Sequence, residues 1–245
     1  MLNTQTIDKL KSLKLTGMVK GLEEQTSNSD CASLSFEERL GLLVDIEMVT
    51  RENRRLQTRL SQAKLRQQAC IEDIDYSSRQ GLDRSLMQSL YPCQWIREGQ
   101  NILITGPTGV GKSYLACALA HRACLMGYKA RYFRATKLFG ELHLANADGR
   151  YPKLMKSICK MDLIVIDDWG LSELNDQARN DFLEILEDRY RLKSTIIAAQ
   201  LPVEHWHKMI GNPTIADAIL DRLVHNAYRI DLKGESMRKK QQKTK

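Results

Sequence analysis

The sequence predicts an α/β protein: a parallel five-stranded sheet flanked by helices, preceded by a small helical amino-terminal domain. Three observations lead there. From Asn101 onward, short apolar runs alternate with stretches of helical length, the pattern of parallel strands joined by helical crossovers. The first hundred residues lack such runs and instead repeat apolar residues at helical spacing. The apolar fraction of 42% supplies a substantial core, and the charged fraction of 27% is that of a folded chain.

Taken in order, the first segment carries Leu10, Leu13 and Val19 at roughly helical spacing and ends in the polar stretch Gln25 to Cys31. A longer helix follows. Ser35 with Glu38 has the form of a capping box, and Phe36, Leu40, Leu43, Val44, Met48, Leu56 and Leu60 continue an apolar face toward Leu65. The later half of this helix carries Arg51, Arg55, Arg59 and Arg66 at spacings of four and seven, along one side. Arg51, Arg55 and Arg59 are the candidate DNA contacts; a solvated helix face accounts equally well for the same spacing. The expected strands are Asn101 to Thr105, Ala130 to Arg134, Asp162 to Asp167, Thr195 to Ala199 and Tyr228 to Leu232. Domain limits follow from this change of pattern: a helical domain over 1–75 for DNA or partner binding, a lead-in over 76–100, and a core over 101–245 with a basic tail.

The chain has 245 residues, a net charge of +7 and a pI near 9.1, which fits a nucleic-acid partner. Residues 1–100 balance 14 basic against 14 acidic side chains, so the surplus lies later, where Lys233 to Lys245 holds six basic and one acidic. No apolar run reaches the roughly 18 residues of a membrane span, and the amino terminus lacks the pattern of a secretory signal, so the expectation is a cytoplasmic protein with no membrane partner. Six cysteines without CxxC spacing suggest reduced thiols rather than a disulfide framework or zinc site.

The chemistry is concentrated after the first strand. Gly106-Pro107-Thr108-Gly109-Val110-Gly111-Lys112-Ser113, followed by Tyr114 and a helix-forming run, matches GxxxxGK[ST] in its strand-to-helix setting. Glycines let the backbone turn tightly with amide hydrogens inward, and the helix amino terminus adds positive potential where a triphosphate sits. Lys112 brings a full charge to the β and γ phosphates, and Ser113 offers a hydroxyl to Mg²⁺. Leu163 to Asp168 has the form of a Walker B strand: Asp167 is placed to help hold Mg²⁺ and Asp168 to polarise the attacking water. A dinucleotide site needs GxGxxG, and the four residues between Gly106 and Gly111 do not provide it. ATP and Mg²⁺ are therefore the expected cofactors, with ATP hydrolysis the expected reaction.

Further residues add a family resemblance. The P-loop, Asp167-Asp168-Trp169-Gly170, the Arg189-Tyr190 pair before a strand, Ala218-Ile-Leu-Asp-Arg222-Leu and Gly234-Glu-Ser-Met-Arg238 stand in an order that resembles the IstB-like transposition helper ATPases, relatives of the helicase loader DnaC in the AAA+ superfamily. The resemblance covers nearly the whole chain. It implies a P-loop AAA+ core with ATP between neighbouring subunits of a ring or filament, Arg222 as the arginine finger, Arg238 as a sensor arginine, and Gln200 in the position of a polar sensor that orients water. Arg189 and Arg191 are rival fingers, and a helix-surface cation is the plainer reading of Arg222. Gln200 and Asp168 depart from the residues commonest in the superfamily. The implied function is an ATP-controlled homo-oligomer that binds duplex DNA and assists a cognate transposase in target-site selection; a DnaC-like helicase loader and a small-molecule kinase are the alternatives.

Overall fold

The computed structural model describes residues 2–28, 31, 33–76, 81–234, 236 and 237. The chain divides into two compact units, Met1–Thr58 and Arg59–Lys245, with the division inside a long helix.

In the first unit the opening segment is two helices, α1 (Leu2–Ser12) and α2 (Thr16–Ser27), not one. Lys14 adopts a left-handed backbone, φ 58°, which no helix accommodates, so the run of apolar spacing breaks at Leu13 to Leu15. The long helix α3 (Phe36–Ala63) begins at the expected capping box: Glu38 N–H donates to Ser35 Oγ at 3.2 Å, and Ser35 N–H donates to Glu38 Oε2 at 2.8 Å. It stops before the left-handed Lys64. Glu47 of α3 caps α2, its Oε2 accepting from Gly17 N–H at 2.6 Å and Met18 N–H at 3.1 Å. A side-chain hydrogen bond from Arg51, supported by these two contacts, holds the Glu47 carboxyl below its usual range, against burial.

The second unit is the α/β core. After α4 (Arg84–Leu90) and α5 (Gln94–Arg97) come β1 (Asn101–Thr105), α6 (Lys112–Leu125), β2 (Ala130–Arg134), α7 (Ala135–Ala147), α8 (Tyr151–Cys159) and β3 (Leu163–Trp169). Then follow α9 (Asp176–Arg189), β4 (Ser194–Ala199), α10 (Trp206–Ile210), α11 (Pro213–Val224) and β5 (Ala227–Asp231). The five strands are all parallel in the order β2-β3-β4-β1-β5. Every residue of β1 and β4 is buried, as strands with helices on both faces must be. Beneath the sheet Trp169 packs on Phe182 with ring centroids 4.4 Å apart, Phe139 meets Phe182 edge-on, and Trp206 closes the cluster. Burying each such side chain contributes about 1.5–3 kcal/mol.

Register puts the chemistry at one end. Arg134 pairs with Asp167 across β2 and β3, and Thr105 pairs with Ala199 and Asp231 across β4 and β5, so the loops that leave the carboxyl ends open on the same side of the sheet. No helix among the described residues is long and apolar enough to cross a membrane.

Candidate nucleotide site

The phosphate loop grows directly from β1. Gly106 has φ +142°, and a Cβ there would lie 2.2 Å from the Leu232 carbonyl oxygen, so only glycine lets the segment after β5 approach. Gly109, φ +85°, is covered by Ser236, whose Oγ would lie 2.2 Å from an added Cβ; Met237 N–H donates to Gly109 O at 2.9 Å. Ser236 and Met237 thus lie against the phosphate loop. Arg238 itself lies outside the described residues.

Gly111 precedes α6 in a left-handed conformation, and Lys112 and Ser113 form the first turn. Lys112 is 9% exposed, with Nζ donating to Gly106 O at 2.7 Å and Pro107 O at 2.8 Å. Burial pushes its pKa down, while Asp167 and Asp168 pull it up. Val110 is buried and anchors the loop; Pro107 and Thr108 are exposed. One cleft is lined by Thr108, Gly109, Lys112, Ser113, Tyr114, Asp168 and Gln200. Gln200 follows β4 and also borders Gly106 and Pro107.

The two acids do not follow simple strand alternation. Successive residues of a strand face opposite ways, but Asp168 is left-handed, φ 58°, and the β3–β4 register shifts between Ile166 and Trp169. Both carboxylates consequently reach one guanidinium: Arg66 Nη1 lies 3.4 Å from Asp167 Oδ2 and 3.6 Å from Asp168 Oδ2. Asp167 is 1% exposed. It accepts from the Tyr132 hydroxyl at 2.5 Å and from Asp168 N–H at 2.8 Å. Burial and the neighbouring carboxylate push the Tyr132 phenol up, keeping it a donor. Asp168 is held by Arg134, whose Nε and Nη2 both lie 2.9 Å from Oδ2.

Arg66, Tyr132 and Arg134 escaped the sequence reading. Placing Arg66 on the helical stripe was wrong, since α3 ends three residues earlier at Ala63. Arg134 had a signal: closing β2, it stands at the same sheet end as the acid that closes β3. Arg66 had none, because its contact with Asp167 spans 101 residues of sequence.

The other candidates lie elsewhere. Arg222 sits on α11 by the amino end of β1, where Asn101 Nδ2 donates to its carbonyl at 3.1 Å. Its Nη2 is 2.6 Å from Glu187 Oε1, and it does not join its own chain's phosphate loop. Arg189 is 1% exposed and donates to the carbonyls of Met161, at 2.7 Å, and Ser194, which removes it as a finger candidate. Arg51 Nε donates to Glu47 Oε1 at 2.7 Å, Arg55 lies 3.9 Å from Glu52, and Arg59 Nε donates to Cys124 O at 2.9 Å. All three therefore have protein partners.

Residues 8–245 match the family described as IstB-like ATP binding protein. An insertion sequence ATP-binding protein of Sinorhizobium fredii is 54% identical over 243 residues, covering 99% of each chain. The ATP-binding protein of insertion sequence IS1162 from Pseudomonas fluorescens is 44% identical, covering 82% of this chain and 88% of its own. Among solved structures, the DnaC helicase loader aligns with TM-score 0.54 at 22% identity, covering 67% of this chain and 97% of that one. AMPPCP-bound DnaA from Aquifex aeolicus aligns with TM-score 0.57 at 20% identity, covering 74% and 56%. These likenesses give the fold alone, a parallel α/β P-loop sheet flanked by helices. The order of motifs along the chain, the site they build and the full-length match together place this protein in the IstB-like ATP-binding family of insertion sequences.

Proposed function

We propose that this protein is an ATP-hydrolysing transposition helper that assembles on duplex DNA and assists a cognate transposase in selecting or preparing its target. The observation that carries the reading is the convergence of Lys112, Ser113, Asp168 and Gln200 on one cleft at the carboxyl end of the sheet, within a chain 54% identical to an insertion sequence ATP-binding protein. The cleft brings together what phosphoryl transfer requires: amide donors, a buried lysine and the Asp168 carboxylate, with Asp167 buried beside it.

Mg²⁺ fits the oxygen donors present, the Ser113 hydroxyl and the Asp167 carboxylate, hard ligands of the kind this ion prefers. When bound it neutralises phosphate charge. Lys112 holds the β and γ phosphates, within a loop running from Gly106 through Pro107, Thr108, Gly109, Val110 and Gly111 to Ser113 and Tyr114. Asp168 polarises the attacking water once released from Arg134, and Gln200 orients it. Arg222 serves the neighbouring subunit's γ-phosphate, and Arg238 contacts nucleotide. Residues 1–75 bind DNA or a partner protein, with Arg51, Arg55 and Arg59 meeting backbone phosphates without reading bases; residues 76–100 lead into the motor at 101–245. The site of action is the cytoplasm.

The test measures oligomer size and duplex binding together, without nucleotide, with ADP and with a non-hydrolysable ATP analogue. Nucleotide-dependent assembly accompanied by tighter DNA binding is expected; a monomer with nucleotide-independent DNA affinity refutes the proposal. A helicase loader is the second reading. The DnaC likeness that suggests it bears on fold alone, and the relatives' insertion sequences favour transposition. A stable complex with a replicative helicase instead of a transposase would reverse that order.

A further inference from the structure

Asp167 and Asp168 differ in their cations. Asp168 has two, Arg134 at 2.9 Å and Arg66 at 3.6 Å. For Asp167, buried to 1% exposure, Arg66 is the only cation in ion-pair contact among the described residues. A buried carboxylate without a compensating charge is costly, so Arg66 supplies a local need. The Arg66 side chain also meets the Tyr132 hydroxyl, yet it stays partly open to solvent. Arg66 is 39% exposed at its side chain, and no helix or strand holds the backbone from Leu65 to Tyr76. The backbone is held at Arg66 and Gln67 by hydrogen bonds to the buried Cys117 thiol and further on by the buried Ala69, Ile71 and Ile74, so the part of Arg66 able to move is its side chain. That side chain lines the same cleft as Lys112 and Ser113.

Building on the nucleotide reading above, we infer that Arg66 is the resident counter-cation of the Asp167–Asp168 pair and sets the Mg²⁺ requirement for nucleotide binding, because a divalent cation reaches Asp167 only by displacing it. Two cations cannot share the Oδ2 that Arg66 faces and Tyr132 already donates to. Metal entry therefore competes with an existing ion pair, and its apparent affinity is lowered by the fraction of molecules in which Arg66 is engaged. Arg134 does not relieve this competition, since its contact is with Asp168. The displaced guanidinium remains on the cleft wall, where phosphate oxygens offer new acceptors. Arg66 is thus a positioning residue: it governs the availability of the acid and takes no part in bond making.

The experiment titrates Mg²⁺ at fixed concentration of a fluorescent, non-hydrolysable ATP analogue and reads analogue binding in the full chain. Arg66→Ala and Arg66→Gln, which removes the charge at similar length, should each lower the half-saturating Mg²⁺ concentration roughly two- to fivefold, the worth of partly exposed ion pairs. Arg66→Lys should stay near wild type. Agreement between the Ala and Gln variants separates lost charge from lost packing. If wild type binds no analogue at any Mg²⁺ concentration, the nucleotide reading falls and this inference with it. If the analogue binds and its Mg²⁺ requirement is the same in wild type, Arg66→Ala and Arg66→Gln, the inference alone is overturned.

Discussion

Replacing Arg189 separates a structural arginine from a catalytic one. Its guanidinium is 1% exposed and makes two well-formed hydrogen bonds to carbonyls, those of Met161 and Ser194, with longer contacts to Ile158, Cys159 and the Thr195 hydroxyl. Two charge-assisted hydrogen bonds are worth about 3–6 kcal/mol, and burial of the three-methylene stem adds about 2 kcal/mol. Against this stands the desolvation of a buried cation, several kcal/mol, which mutation gives back. The net expectation for Arg189→Ala is a loss of about 3 kcal/mol, with Arg189→Met about 2 kcal/mol less harmful because it keeps the stem. Urea unfolding followed by circular dichroism measures both, with ATP-analogue affinity recorded under folding conditions. A two-unit chain need not unfold in one step, so the transition of the larger unit is the one to follow. Wild-type unfolding midpoints in both variants, combined with abolished turnover, would refute the structural assignment and restore Arg189 as a finger.

Asp168→Asn should leave analogue affinity within a few-fold and slow turnover by about 10² to 10⁴, as single-turnover kinetics would record; unchanged turnover removes Asp168 from the reaction. Neutralising Arg51, Arg55 and Arg59 together should weaken binding to unrelated duplexes alike and flatten its salt dependence, read by fluorescence anisotropy; an unchanged salt slope leaves the three as structural partners of Glu47, Glu52 and Cys124. Arg222→Ala should keep ATP binding and lose most turnover, and mixtures with Lys112→Ala should regain part of it, more so at higher protein concentration; mixtures that stay inactive at every ratio count against a shared site.

Much of the core was legible because strands in a covered parallel sheet must be apolar throughout. Asn101 to Thr105 is β1 to the residue, buried at every position; Ala130 to Arg134 is β2 to the residue although, at the sheet edge, it exposes Arg134. The capping box at Ser35 and Glu38 was legible for a similar reason, being a short-range arrangement of hydrogen bonds. What stayed hidden depended on backbone departures or on distance. Apolar spacing runs straight through Lys14, whose left-handed backbone divides α1 from α2. The left-handed Asp168 brings two sequence neighbours to one cation, against the alternation a strand pattern predicts. Arg66 looked like one more member of a helical row, since nothing local marks the end of α3 at Ala63.

The placement of Arg222 gives the proposal of a shared site its physical content. Asn101 fixes the amino end of β1 through two of its own atoms, Oδ1 accepting from Thr195 N–H at 2.9 Å and Nδ2 donating to Arg222 O. The phosphate loop leaves the other end of the same strand. Four steps of strand separate Asn101 from Thr105, about 13 Å, before the loop has begun. Within one chain, then, Arg222 and Lys112 belong to opposite ends of the sheet, so the proposed action of Arg222 on a γ-phosphate requires a second copy. Its present contact does not prevent this: Glu187 is 48% exposed, and partly solvated pairs of this kind are worth about 1 kcal/mol or less. Arg222 Nε has no hydrogen-bond partner among the described residues, so exchanging Glu187 for a phosphate oxygen leaves that donor no worse placed. Under that proposal hydrolysis would depend on assembly, because the Arg222 of the chain that binds ATP stands at the far end of its own sheet.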